Sequence, residues 1–241
     1  MLKKGKWNRL LKIGTVGALA GMFVVPINPV HSTFYNLAFL GCVVATWVGI
    51  TILVWKRKPL RYGALILLLL VATPFLLPGR GVDAASLSDD YVHRMTEFEG
   101  TPYHWGGENS RGIDCSGFPR RALRDALLAS GIRTLNGRCF RLWAEQWWFD
   151  ASAKALSEGY RGYTTPIGNT GTIEQMNDEN LIPGDLAVTT SGVHILAYVG
   201  NGKWIQADPG IGAVKTLDGR SDDNVWFRTP VTTHRWQLLN Q

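Results

Sequence analysis

Three long apolar segments without charged residues occupy the first third of the chain. They cover residues 13–30, 33–55 and 62–79, and each is at least 18 residues long. A helix of about 20 apolar residues crosses the hydrocarbon core of a bilayer, whereas helices of soluble domains rarely stay uncharged for so long. The pattern predicts a membrane region over residues 1–84, with transmembrane spans near these three segments. The alternative is that they form buried core helices of a soluble protein.

The distribution of charge favours the membrane interpretation. The chain has a formal net charge of +6, but residues 1–84 contain 10 Lys or Arg against one acidic residue, whereas the remainder contains 15 against 18. Because the excess of basic residues belongs to the membrane region, it does not indicate a nucleic-acid partner. Basic clusters lie in residues 3–12 and 56–61, and the connection between the first two spans has no Lys or Arg.

These clusters also predict an orientation. Basic residues next to spans stay in the cytoplasm, so both clusters are expected there, and the third span then carries residues 85–241 to the extracytoplasmic side. The first segment has a basic start, an apolar middle and prolines near its end, so it is also a candidate for a removable signal peptide. Its removal would leave the orientation unchanged.

The soluble part, residues 85–241, reads as helices followed by strands. Apolar spacing predicts a first helix, a second one that starts at Cys115 and stops at Gly131, and a third that is rich in tryptophan. A loop rich in Gly, Thr and Asn is expected next, followed by strands. This order predicts an α+β domain with its helices packed on an antiparallel sheet. The predicted helices cover 87–99, 115–130 and 140–157, the loop 160–180, and the strands 185–189, 193–199, 204–207 and one or two within 225–236.

Cys115 and His194 are the candidate catalytic pair. A cysteine at a helix N-terminus gains thiolate character from the unpaired N–H groups and the helix dipole. Histidine is the side chain whose pKa lies closest to neutral, and His194 stands at the start of a predicted strand. Gln206 lies one strand further on and could orient the imidazole through its amide oxygen. These residues alone leave open the alternative of a small buried cysteine and a structural histidine.

Four short segments occur in an order that is typical of one family. They are GTPYHWGG at 100–107, GIDCSGF at 112–118, PGDL at 183–186 and VHILAYVGNG at 193–202. Together they resemble the NlpC family of papain-like cell-wall cysteine peptidases, over roughly residues 86–240. The resemblance implies a papain-like NlpC-type domain over residues 85–241.

The same resemblance implies roles for individual residues. Cys115 would be the nucleophile, His194 the general base and Gln206 the orienting residue, at a position where the family more often has histidine. Tyr103 would help to bind the substrate or the oxyanion, and Asp114 and Ser116 would shape the subsite. Two alternatives stay open, because Tyr103 could be packed in the core and Asp114 could be the cap of the helix.

The implied substrates are peptidoglycan stem peptides, cut at bonds that follow a γ-linked D-glutamyl residue, with no cofactor and no metal. The segment 140–180 is longer than in compact relatives, and its role stays open, as does that of Cys139. One alternative keeps the same residues but acts as an amidase or acyltransferase on another acyl substrate. Another is a catalytically silent module that binds the cell wall, and a membrane-protein partner is unknown.

Overall fold

The N-terminal region consists of three long helices. The structure, a computed structural model, describes residues 4–240. The helices are α1 (Lys4–Val24), α2 (Thr33–Val54) and α3 (Lys58–Leu76). Each is long and apolar enough to cross a membrane, and most of their large apolar side chains are exposed. The helix α1 begins well before residue 13, because the basic segment continues the same helix into the first apolar segment.

Four shorter helices follow α3. They are α4 (Ala84–Glu97), α5 (Gly117–Thr134), α6 (Gly137–Trp148) and α7 (Ala153–Ser157). The prediction that Gly131 stops the second of these helices was wrong, because α5 continues through it and ends at Leu135, which adopts a left-handed conformation. Gly131 instead allows close packing, since a side chain there would meet Cys139 and Phe140 of α6 at 3.2–3.3 Å.

The remaining chain forms an antiparallel sheet of six strands and a small two-stranded ribbon. The ribbon pairs β1 with β2, and the large sheet has the order β3-β8-β4-β5-β6-β7. This architecture confirms the predicted α+β class. The strands are β1 (Glu108–Asn109), β2 (Gly112–Ile113), β3 (Thr164–Gly171), β4 (Leu186–Thr189), β5 (Ile195–Gly200), β6 (Lys203–Asp208), β7 (Ala213–Asp218) and β8 (Val231–Trp236).

Two strands of the six-stranded sheet were not expected from the sequence. The prediction of a loop over 160–180 was wrong, because β3 lies there and pairs with β8. The register of that pair shifts between Pro166 and Thr170, so the segment lacks the regular alternation that identifies a strand. The other is the edge strand β7, which pairs with β6.

The main core lies between the helices α4 and α5 and one face of the sheet. Tyr91 of α4 is fully buried, and its hydroxyl accepts a hydrogen bond of 3.0 Å from the indole nitrogen of Trp236 on β8. Leu123 and Leu127 of α5 and Ile195 of β5 belong to the same cluster. This packing places the first turn of α5 against the start of β5.

Candidate active site

Cys115 lies immediately before α5 and is held by its neighbour Asp114. The Asp114 Oδ1 atom accepts hydrogen bonds from the backbone N–H groups of Ser116 (2.9 Å) and Gly117 (2.6 Å), and Oδ2 accepts one from the N–H of Gly106 (2.8 Å). The Ser116 hydroxyl also donates to Oδ1. This geometry favours the helix-cap alternative for Asp114, since both carboxylate oxygens serve to fix the loop that carries the cysteine.

The Cys115 thiol points to the start of β5. Its side chain is 8% exposed, and Sγ lies 3.7 Å from the backbone oxygen of Val193. The segment that contains Val193 and His194 is itself held by Thr189 at the end of β4. The Thr189 hydroxyl accepts from the N–H groups of Val193 (3.2 Å) and His194 (3.0 Å). The structure therefore brings the predicted nucleophile next to the turn that carries the predicted base.

His194 and Gln206 meet across the hairpin of β5 and β6. The Nε2 atom of His194 lies 2.6 Å from Oε1 of Gln206, and both residues are buried. An amide oxygen can only accept a hydrogen bond, so the ring carries its proton on Nε2 and leaves Nδ1 as the nitrogen that can accept one. The expectation from the sequence that Gln206 orients the imidazole requires such a contact, and the orienting role stays a prediction.

Trp226 covers the imidazole of His194. The two rings are stacked, with their centroids 4.0 Å apart and their planes at 16°. Asn224 sets the position of Trp226, because its Oδ1 atom accepts a hydrogen bond from the backbone N–H of Trp226 (3.0 Å). Asp208 in turn holds Asn224, because its Oδ2 atom accepts one from Nδ2 of Asn224 (2.7 Å). Sequence reasoning missed all three residues. The only available signal was that Asn224 is a typical cap for the short helical turn at Val225–Phe227.

Burial favours the neutral forms of both candidate catalytic groups. It raises the pKa of the Cys115 thiol to about 12, with a further contribution from the charge of Asp114, although nearby N–H groups of Ile195 and Ser116 act in the opposite direction. Burial also lowers the pKa of His194 to about 4, and this outweighs the contact with Gln206 and the charge of Asp208. At neutral pH the pair is therefore a thiol beside an unprotonated imidazole.

Tyr103 is the remaining candidate near the thiol. Burial, together with the proximity of Cys115 and Asp114, raises its pKa to about 12, so its hydroxyl stays protonated and can donate a hydrogen bond. Its backbone N–H donates to the oxygen of Gly212 (2.8 Å). The side chain is half-buried and packs against the core. Its part in binding the substrate or the oxyanion stays a prediction.

The other histidines and cysteines of the domain lie in different surroundings. His93 on α4 is exposed beside Glu97, and Nδ1 of His104 lies 3.0 Å from the backbone oxygen of Trp105. Cys139 is fully buried, with Sγ 3.9 Å from the hydroxyl of Ser130, and it and Cys115 are both free thiols.

Helices that precede an antiparallel sheet, with a cysteine ahead of one helix and a histidine held on the sheet, define the class of papain-like cysteine peptidases. Residues 100–229, just over half of the chain, match the NlpC/P60 family. The chain belongs to the NlpC/P60 family, and the resemblance found in the sequence is confirmed. The enzyme class expected from the sequence, a cysteine peptidase or amidase, is confirmed as well.

Individual relatives are more distant. The probable endopeptidase NlpC of Escherichia coli (strain K12) is 26% identical over 140 residues, which is 56% of this chain and 68% of that protein. Among solved structures, NlpC1 from Trichomonas vaginalis has a TM-score of 0.43 and 19% identity, over 64% of this chain and 45% of NlpC1. The NlpC/p60 domain of the peptidoglycan hydrolase SagA has a TM-score of 0.36 and 22% identity, over 64% of this chain and 98% of that domain. The chain thus spans less than half the length of NlpC1.

Proposed function

We propose that this chain is a membrane-anchored cysteine hydrolase that cleaves peptide or amide bonds of peptidoglycan stem peptides on the extracytoplasmic side of the membrane. The observation that carries the proposal is the contact of 2.6 Å between Nε2 of His194 and Oε1 of Gln206. His194 follows Val193, whose backbone oxygen lies 3.7 Å from the Cys115 sulfur. Membership of the NlpC/P60 family and the similarity to a probable endopeptidase support the same reaction class.

In this mechanism His194 takes the thiol proton at the moment of attack. The Cys115 sulfur forms a bond to the carbonyl carbon of the substrate while the proton moves to Nδ1 of His194. The imidazolium then gives that proton to the departing amine as the C–N bond breaks, which leaves a thioester. Water attacks the thioester with His194 again as the base, and the carboxylic acid product and the free thiol are released.

Gln206 and Tyr103 assist the reaction through hydrogen bonds and form no covalent bond to the substrate. Gln206 holds the Nε2–H of the ring, which leaves Nδ1 as the nitrogen that takes and returns the thiol proton. The Tyr103 hydroxyl, protonated at neutral pH, donates a hydrogen bond to the oxygen that becomes negative in the tetrahedral intermediate. Asp114 keeps the cysteine loop in place through its hydrogen bonds to the N–H groups of Gly106, Ser116 and Gly117.

The bond that the chain cleaves is identified with muropeptides of known structure. The full-length chain in detergent is incubated with disaccharide tetrapeptides, and the product masses are measured. Cleavage after the γ-linked D-glutamyl residue supports the proposal. Release of the intact peptide from the sugar would indicate an amidase, and products that carry an added amine nucleophile would indicate an acyltransferase. Sedimentation with peptidoglycan without any product would indicate a binding module.

The proposed orientation rests on the basic clusters that flank the spans and is tested by labelling. A membrane-impermeant maleimide is applied to intact cells that carry one of two substitutions. Ser221→Cys places a thiol at an exposed site in the domain, and Lys58→Cys places one at the exposed first residue of α3. Labelling of Ser221→Cys alone supports an extracytoplasmic domain. The reverse pattern contradicts it, and the unmodified chain gives the background from its own three cysteines.

A further inference from the structure

The connection between α1 and α2 packs directly against the loop that precedes Cys115. We call residues 25–32 the outer hairpin. The N–H of His31 donates to the backbone oxygen of Gly106 (2.8 Å), and the N–H of Glu108 donates to the oxygen of Pro29 (2.9 Å). These two bonds form an antiparallel bridge. The outer hairpin therefore adds a short strand segment beside β1.

A short path of backbone contacts leads from this bridge to the nucleophile. Gly106 donates its N–H to the Asp114 carboxylate (2.8 Å), and the oxygen of Gly107 accepts from the N–H of Asp114 (3.0 Å). Asp114 precedes Cys115 and caps α5. The loop held by the outer hairpin is thus the same loop that fixes the position of Cys115.

A buried carboxylate makes a second connection. Glu108 is 3% exposed, and its carboxylate lies 2.9 Å from Arg124 and 3.1 Å from Arg120, both on α5. The Nδ1 atom of His31 lies 3.1 Å from Oε2 of the same carboxylate. Arg120 also donates to the backbone oxygen of Ser116 (3.4 Å), the residue after Cys115. One side chain therefore links the outer hairpin to the first turns of the nucleophile helix.

The charges around Glu108 show that His31 can be replaced without leaving a buried charge unpaired, whereas Glu108 cannot. Burial would raise the pKa of Glu108, but the charges of Arg120 and Arg124 hold it below its usual range, so the carboxylate is ionised. Burial lowers the pKa of His31, which is neutral at pH 7. Loss of His31 leaves Glu108 with both arginines. Loss of Glu108 would leave the buried Arg124 without its carboxylate, although Arg120 would keep its contact of 2.7 Å with Asp150.

We propose that the outer hairpin is a positioning element of the peptidase site, and that His31 is a positioning residue for Cys115. The proposal rests on the proposed function. It assigns to the membrane region a role beyond anchoring. The outer hairpin, which lies between the first two spans, completes the loop that positions Cys115. The expected domain boundary at residues 84 and 85 stays a prediction, but these contacts cross it.

The test compares three variants of the full-length chain in detergent. His31→Ala removes the contact with Glu108, and His31→Asn retains a polar atom near the position of Nδ1. His93→Ala is the matched control, since it removes an exposed histidine ring of α4 that lies 3.4 Å from Glu97. Three quantities are measured: hydrogen exchange over residues 104–114, the rate of Cys115 alkylation, and kcat and KM for muropeptides.

We expect His31→Ala to exchange residues 104–114 at least tenfold faster and to lower kcat at least fivefold, with KM within twofold. His31→Asn should recover most of kcat, and His93→Ala should match the wild type in all three measurements. Unchanged exchange and unchanged Cys115 alkylation in His31→Ala would overturn the proposal. Exchange and alkylation do not require turnover, so an inactive wild type would refute the proposed function and leave this test intact.

Discussion

The indole ring of Trp226 lies parallel to the imidazole of His194, 4.0 Å from it. It shields the ring from water, and burial is the main reason that the pKa of His194 is lowered to about 4. We predict that Trp226→Ala raises this pKa towards 6.5. The acidic limb of the profile of kcat/KM against pH should then move up by about one to two pH units, because the base must be unprotonated to act.

Trp226→Phe is the matched variant for this prediction, because it retains an aromatic ring over His194. Its acidic limb should stay within about half a pH unit of the wild type. Equal profiles for Trp226→Ala and the wild type would show that Trp226 does not control the protonation of the base.

The state of the thiol gives a second prediction. Burial raises the pKa of Cys115 to about 12 and lowers that of His194 to about 4, so the neutral pair prevails at pH 7. The thiolate fraction then grows about tenfold for each pH unit well below the thiol pKa. We expect the rate of Cys115 alkylation by iodoacetamide, followed by intact mass, to rise steadily from pH 6 to 9. A plateau that begins below pH 6 would instead indicate a thiolate–imidazolium pair.

Gln206 should contribute through orientation of the ring. Gln206→Ala removes the acceptor 2.6 Å from Nε2 of His194, so the imidazole can rotate or change tautomer. We predict that kcat falls by roughly 10- to 100-fold with little change in KM, since the loss of an orienting group acts mainly in the transition state. Gln175→Ala, at an exposed position, is the control and should retain the wild-type kcat. A kcat for Gln206→Ala within twofold of wild type would contradict this role.

The buried ion pair between Asp185 and Arg235 should matter for stability. Asp185 is fully buried before β4, and Arg235 on β8 binds both of its oxygens at 2.7 Å. Arg235→Met leaves the carboxylate without its main partner, so we predict a loss of about 2–4 kcal/mol in the free energy of unfolding. The control is Arg133→Met, which removes an exposed pair with Asp90 and should change stability little. Denaturant unfolding in detergent measures both, and equal effects would refute the prediction.

The sequence predicted the elements whose signals are local. The three apolar segments gave the long helices, and the cap at Asp114 with the apolar face of α5 gave the nucleophile helix. His194 and Gln206 could be predicted as neighbours because a short turn joins β5 and β6, so the two residues are close in the sequence. The resemblance to the NlpC family depended on segments that keep their order along the chain.

Contacts between distant segments could not be predicted in the same way. Trp226 reaches His194 only because Asp208 and Asn224 hold its loop, and no spacing in the sequence indicates that contact. The strand β3 was hidden by its irregular register with β8. The packing of the outer hairpin on Glu108 joins residues 77 positions apart, and nothing in the sequence around His31 or Glu108 indicates that the two are in contact.

The role of Cys115 as the nucleophile is tested most directly by cleavage of muropeptides by the full-length chain. Wild type, Cys115→Ala and Cys139→Ala are compared by mass spectrometry of the products, with circular dichroism as the check on folding. The account predicts that Cys115→Ala is folded but loses at least about a thousandfold in rate, as expected for removal of a covalent nucleophile. It also predicts that Cys139→Ala cleaves within about threefold of wild type, because removal of a buried thiol that contacts no reacting atom affects packing alone. Cleavage by Cys115→Ala at the wild-type rate would contradict the account.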